Sequence, residues 1–246
     1  MRESEPPRWL LIGNSRWHWA WPDAAEANGL RVRHTPAGAV QPDASGLWAW
    51  AAVGAFPPDQ LPARLRIHTD AVPLTGLPGW LGIDRALAGW LAWRRLGTAV
   101  LVADAGTVLS LTWVDAAGRF RGGRLLPGAS LSLRAMAQGT AALPDPPQGA
   151  LTQAAEGDRQ ERTDQAWPQA TAAAMRLGVL RGLAAAIADA ALELRGEDPA
   201  LRLVLSGGDA PALLEQPLWR LASSPVPVHL PDLALAALAA LRPPPG

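Results

Sequence analysis

Ala99-Val100-Leu101-Val102-Ala103-Asp104-Ala105-Gly106-Thr107-Val108-Leu109-Ser110-Leu111-Thr112-Trp113-Val114 is the stretch on which the fold turns. An apolar strand to Ala103 runs into the bend Asp104-Ala105-Gly106-Thr107, Val108 to Val114 leads out of it, and after Ala117-Gly118 a third strand is expected near Arg119 to Leu125. The beginning of the chain has the same order. Arg8 to Ile12 is a short apolar run, Gly13-Asn14-Ser15 is a bend, and from Arg16 to Trp21 three tryptophans (Trp17, Trp19, Trp21) alternate with Arg16, His18 and Ala20. A period of two with a Gly-Asn break predicts a hairpin. Sliding one half over the other by 93 positions lays Leu11 to Ser15 on Asp104 to Val108. The spacing suggests a duplication, with an N-terminal half over 1–96 and a C-terminal half over 97–246.

Working outward, Leu30 to Thr35 and Leu47 to Val53 read as further strands, and Pro58 to Arg66 as a helix. Asp84 to Leu96 reads as a better helix, opened by an acid and closed by Gly97. In the second half a helix follows Pro127-Gly128 to about Gln138, and Pro144 to Gly157 is a Pro/Gly-rich loop. A long helix spans roughly Trp167 to Leu194. There Met175, Val179, Leu183, Ile187, Ala190 and Leu194 recur at steps of three and four, which makes one face apolar. Gly196 is the expected stop. Leu201 to Leu205 is a buried-type strand entering Ser206-Gly207-Gly208-Asp209; a short helix, a strand over Val226 to Leu230 and an Ala/Leu helix over Asp232 to Leu241 end the chain.

Composition narrows the chemistry. The 246 residues are 49% hydrophobic and 18% charged, and 22 basic residues balance 22 acidic ones, so no basic footprint for nucleic acid or an anionic membrane exists. Every basic residue is Arg. Without Lys, a Walker A loop and a Schiff-base enzyme are both excluded. Cys is absent, and the four histidines (His18, His34, His68, His229) lie far apart in sequence with no pair at ligand spacing, so a His- or Cys-based metal site is excluded at this level. Met1 to Pro7 is a short acidic tail without the pattern of a secretory signal. The Ala-rich stretch near 170–192 carries Arg176, Arg181 and Asp189, so no membrane span and a cytoplasmic protein are expected. The twelve tryptophans are expected to pack the core rather than to form a stacking platform. The apolar stripe of the long helix is core or a dimer interface.

A glycine bend between strands lets backbone N–H groups converge on an anion, because no side chain blocks the approach. One such bend is usually only a turn. Two of them, with a third at Gly207-Gly208 ending another strand, favour nucleotide binding across a cleft. Asp84, in Leu81-Gly82-Ile83-Asp84-Arg85, has two readings. On spacing alone it is a helix N-cap; the functional alternative is a carboxylate meeting a substrate hydroxyl while the adjacent Arg grips an anion. Gly122-Gly123 and Pro127-Gly128 are equally open between turn and site.

Taken in order, Gly13-Asn14-Ser15, Gly82-Ile83-Asp84-Arg85, Asp104-Ala105-Gly106-Thr107, Gly122-Gly123 with Pro127-Gly128, Thr171 seven residues before Gly178, and Ser206-Gly207-Gly208-Asp209-Ala210 resemble the type III pantothenate kinases. That family belongs to the actin-like, sugar-kinase and Hsp70-like ATPase superfamily. The resemblance implies an α/β fold: two duplicated ribonuclease H-like halves of mixed sheet plus helices around an ATP cleft. It implies ATP-dependent phosphorylation of pantothenate to 4'-phosphopantothenate, the first step of coenzyme A biosynthesis. By the same resemblance Asp84 is the general base, and Gly82, Ile83, Asp84, Arg85 and Thr171 bind pantothenate. Gly13, Asn14, Ser15, Arg16, Gly106 and Thr107 contact ATP. The resemblance further implies that Asp104 holds a monovalent cation, potassium or ammonium, needed besides Mg2+, and that the protein is a homodimer.

The chain departs from the family pattern twice. Leu11 stands where an acidic residue associated with magnesium usually precedes the first Gly by two positions. No Tyr precedes the Gly-x-Asp-Arg segment, and Trp80 is the candidate to wall the pocket instead. Leu11 is also what supports the alternative readings of a catalytically weak regulatory or binding relative. Another small-molecule kinase of the superfamily is disfavoured by Gly82-Ile83-Asp84-Arg85.

Overall fold

The computed structural model describes residues 8–26, 28–39, 44–53, 60–145, 166–221 and 224–243. Two compact units are formed. The first comprises residues 1–98, 114–121 and 232–246, the second residues 99–113 and 122–231.

In the first unit the alternating tryptophans produce the hairpin that period two demands. Strand β1 (Trp9–Ile12) pairs antiparallel with β2 (Arg16–Pro22), and β2 pairs antiparallel with β3 (Leu30–Pro36). β4 (Ala49–Ala52) joins β1 in parallel, giving the order β3-β2-β1-β4. Leu10, Ile12, Trp17, Trp19, Trp50 and Leu61 form one buried cluster, and Trp9 donates its indole N–H to the carbonyl of Arg242 at 2.8 Å. Core packing is thus the role of these tryptophans, although Trp80 is 72% exposed. Helix α1 (Ile83–Leu96) stops at Gly97, which takes the left-handed conformation (φ 65°) that favours glycine.

The second unit contributes most of a five-stranded sheet. Its strands are β5 (Val100–Ala105), β6 (Val108–Val114) and β7 (Phe120–Pro127). They are joined by β8 (Arg202–Ser206) and β9 (Val228–His229) in the order β7-β6-β5-β8-β9. β5 and β6 are joined by the two-residue bend Gly106-Thr107, a connection only antiparallel neighbours can make; β8 is parallel to β5 and β9 to β8. Both sheets therefore run third, second, first, fourth strand, the repeat that the 93-residue echo predicts. Helices α2 (Ala129–Gly139), α3 (Thr171–Glu197) and the short α4 (Ala210–Leu214) belong to this unit. α3 buries Met175, Leu183, Ile187, Ala190 and Leu194, so its apolar stripe is core. The last helix, α5 (Leu233–Leu241), packs in the first unit against α1 and β1.

Several elements differ from the sequence reading. Of the helix expected over 58–66, the described part is only a 3-10 turn, Ala63–Leu65, preceded by Pro62, whose missing N–H cannot serve a longer helix. The strand expected over 226–230 shrinks to Val228–His229, because Pro225 and Pro227 offer no ladder donors. α3 passes through Gly196 and ends at Asp198, where the following Pro199 disfavours a helical backbone. Gly122-Gly123 lies inside β7 rather than in a turn, and a Cβ on Gly123 would collide with the Leu111 carbonyl oxygen. Met1 to Pro7 and residues 146–157 of the expected loop lie outside the described residues.

Candidate functional site

In the first unit, α1 begins one residue earlier than the sequence suggests. Gly82 is its N-cap and Asp84 is its second helical residue, so the N-cap reading of Asp84 is replaced. The carboxylate Oδ1 accepts the N–H of Arg85 at 2.8 Å. Burial raises the carboxyl's pKa, opposed by that N–H and by the Arg85 guanidinium. Gly82 is what gives the carboxylate room: a Cβ there would stand 2.6 Å from Asp84 Oδ1 and 3.6 Å from Arg85 Nε. The backbone of Gly82 has φ −59°, which any residue adopts, so space rather than conformation calls for glycine. The Arg85 guanidinium lies over the exposed Trp80 ring, 5.8 Å from its centroid.

Beside this helix start is a cavity of about 210 Å³, lined by Val53, Arg66, His68, Thr69, Gly82 and Ile83 among others. Thr69 donates its hydroxyl to the Leu81 carbonyl at 3.2 Å, which ties the cavity wall to the segment entering α1. Arg66 stacks on Trp50 at 5.1 Å. Sequence reasoning missed Arg66, His68 and Thr69, because they sit in a segment read as plain helix and coil.

The first bend is closed by the Gly13 N–H donating to the Arg16 carbonyl at 2.9 Å, and it leaves Asn14, Ser15 and Arg16 exposed. A Cβ on Gly13 would stand 2.8 Å from that carbonyl oxygen. Leu11, two residues earlier, is buried and pairs across the strands with His18.

The second unit brings two further glycine segments onto the bend Asp104-Ala105-Gly106-Thr107. A Cβ on Gly128 would overlap the Gly106 carbonyl oxygen, and the Gly128 N–H donates to the Thr107 carbonyl at 3.0 Å. From another side, Gly207 (φ 90°) approaches so closely that a Cβ would overlap the Ala105 carbonyl oxygen and stand 2.5 Å from Asp104 Oδ1. Asp209 donates its N–H to the Ala105 carbonyl at 3.0 Å. Gly207 and Gly128 are thus parts of the same bend as Gly106 and Thr107. Thr171 is the first residue of α3 and is exposed.

Two histidines that lie far apart in the sequence are brought together. His18 and His34 are directly opposed on β2 and β3, with their Nδ1 atoms 2.8 Å apart, and His34 Nε2 lies 3.3 Å from Asp232 Oδ1. Separation of 16 residues hid the pair, since only the strand register reveals it. Burial, helped by the neighbouring His34, holds the His18 imidazole down at about 4, so its ring is neutral near neutral pH.

The sequence profile of the type III pantothenate kinase family matches residues 66–192. A type III pantothenate kinase from Synechococcus sp. (strain JA-3-3Ab) is 37% identical over 215 residues, covering 85% of this chain and 83% of that protein. Another from Synechococcus elongatus is 35% identical over 223 residues, covering 83% and 85%. Among solved structures, a Campylobacter jejuni protein named for the Baf family of transcriptional activators superposes with a TM-score of 0.52 at 16% identity, covering 95% of this chain and 96% of its own. At that identity the likeness speaks for the fold alone.

Proposed function

The chain belongs to the type III pantothenate kinase family, and from that premise we propose how its residues divide the work of an ATP-dependent pantothenate kinase. The reaction moves the γ-phosphoryl group of ATP to the primary hydroxyl of pantothenate, giving 4'-phosphopantothenate and ADP, the first step of coenzyme A biosynthesis. The hydroxyl oxygen forms the new P–O bond as the bond to the β-phosphate oxygen breaks. The hydroxyl proton passes to Asp84. Phosphoryl transfer asks for positioning and charge neutralisation rather than covalent help.

The observation that carries this reading is Asp84 itself: a carboxylate at the start of α1, raised in pKa by burial, held by the Arg85 N–H, and next in sequence to Gly82 and Ile83 of the cavity wall. A raised pKa makes a carboxylate a stronger proton acceptor. Gly82, Ile83 and Arg85, with Thr171, are assigned to pantothenate, the guanidinium being a partner for the substrate's carboxylate. Trp80, stacked under that guanidinium, takes the place of the missing Tyr. The exposed first bend, Gly13 to Arg16, and the bend at Gly106 and Thr107 are assigned to the ATP phosphates, which backbone N–H groups and Arg can meet without Lys.

Family membership implies ATP with a divalent cation, whose charge, when bound, would offset that of the phosphate oxygens. At the strand ends entering the two bends the donors differ. Leu11 is buried and offers no ligand atom, so the first bend does not fit the expected magnesium carboxylate. Asp104 does fit a cation, because Gly207 leaves space against its Oδ1; we assign it to potassium or ammonium. A cytoplasmic location follows from the reaction's substrates, and among the described residues no helix is long and apolar enough to cross a membrane. A homodimer is carried over from the resemblance; Leu192, 47% exposed on α3, is an apolar residue such an interface would cover.

The test is a coupled assay with ATP, Mg2+, K+ and pantothenate. ADP and phosphopantothenate should form in equal amounts, and removing potassium and ammonium should suppress both. Asp84→Asn should lower turnover by roughly 10²- to 10⁴-fold, the usual contribution of a positioned base, with an unchanged thermal transition. Turnover indifferent to Asp84→Asn would remove the assignment of the base. Nucleotide binding without turnover in the wild-type chain would favour the regulatory relative.

A further inference from the structure

The register of β2 and β3 sets His18 directly opposite His34, and directly opposed residues share a face of the sheet. Their rings meet edge to face, with centroids 4.8 Å apart. Asp232 closes the group from the start of α5, and one ligand atom from each of the three residues lies within 4.8 Å of the other two. Two nitrogens about 2.0–2.1 Å from one tetrahedral ion stand about 3.3 Å apart. The two Nδ1 atoms, 2.8 Å apart and hydrogen-bonded without an ion, need only a small ring rotation to meet that spacing.

Asp232 supplies a second, independent observation. It is the one non-glycine residue with positive φ (50°) among the described residues. As the N-cap of α5 it would ordinarily bond the helix's free N–H groups, yet its side chain makes no capping bond and lies beside His34 instead. Asp tolerates the left-handed backbone, and with the cap unmade its carboxylate is turned to His34. The site is open to solvent, His34 and Asp232 being 39% and 29% exposed.

We propose that His18, His34 and Asp232 form a binding site for a divalent transition-metal cation. Two imidazoles and one carboxylate suit Zn2+, Co2+ or Ni2+ and are poorly matched to Mg2+, which prefers oxygen. Solvent completes the coordination. The site adjoins the first bend: His18 is the cross-strand partner of Leu11, and its Nε2 lies 3.6 Å from where a Cβ on Gly13 would be. An ion there brings positive charge to a strand end without a carboxylate. Binding itself does not depend on the kinase reading, and its test uses no nucleotide.

The experiment titrates CoCl2 into the untagged, chelator-stripped full chain, following the visible absorption of bound cobalt and the thermal transition. One cobalt per chain should give a visible spectrum and a raised transition temperature, and Zn2+ but not Mg2+ should displace it. His34→Gln and Asp232→Asn should each weaken binding by about tenfold or more, while leaving the metal-free transition unchanged. Asn tolerates the left-handed backbone at 232, so that variant removes the carboxylate without disturbing the helix start. No cobalt spectrum, binding unaltered in both variants, or equal displacement by Mg2+ overturns the proposal and leaves the three residues as a hydrogen-bonded chain.

Discussion

Burial and the N–H and guanidinium of Arg85 pull the Asp84 carboxyl in opposite directions, and burial wins, leaving the pKa raised. A folded-state pKa above the unfolded one means that the folded protein holds the proton more tightly. This group's contribution to stability is therefore greatest at low pH and declines as pH rises from the ordinary carboxylate value through the raised one. Activity runs the other way, since only the ionised form accepts the substrate's proton. The kcat profile should rise with pH through a midpoint above the usual aspartate range, and the acidic limb should disappear from the residual activity of Asp84→Asn. The same variant should not lower the melting temperature at neutral pH. Gly82→Ala probes the carboxylate's position rather than its charge: the backbone accepts alanine, but a Cβ 2.6 Å from Oδ1 must push the acid aside. Turnover should fall by roughly 10²-fold, as displacements near 1 Å do, with little change in denaturant midpoint.

At the scale of elements, the bend between β5 and β6 is wedged by two glycines from elsewhere in the second unit. Gly207→Ala meets both a left-sided backbone (φ 90°) and the Ala105 carbonyl oxygen, and should destabilise that unit by more than about 1 kcal/mol. ATP affinity, read by calorimetry, should fall with it. The bends were legible in sequence because Gly between two apolar runs has few other uses, and the hairpins because β2 alternates its tryptophans. The α1 boundary was less legible: an acid at a helix start reads as a cap, and only the geometry shows that Gly82 takes that position so that Asp84 can turn toward Arg85. The His18–His34 pair was not legible at all. Its signal is the pairing of β2 with β3, which depends on the 23–29 connection and not on any local spacing. The strand at Val228–His229 is shorter than its apolar run suggests, because Pro225 and Pro227 offer no ladder donors.

For the molecule as a whole, the duplication suggested by a 93-residue shift is expressed as two sheets with the same strand order, third-second-first-fourth. What the linear halves do not convey is that the chain returns. The last helix belongs to the first unit, where Leu233, Leu235 and Leu238 are buried against α1 and β1. Leu238→Ala should cost about 2–5 kcal/mol, measurable by urea unfolding. Truncation after Pro231 should leave the first unit without a stable core, detectable as lost amide protection in β1. Trp9 Nε1, bonded to the Arg242 carbonyl, ties the opening strand to a residue made 233 positions later. On the ribosome, the unit begun first is closed only after residues 122–231 of the other have been made: its hydrophobic strands must wait, unsheltered, through that synthesis, which makes this half the natural client of nascent-chain chaperones.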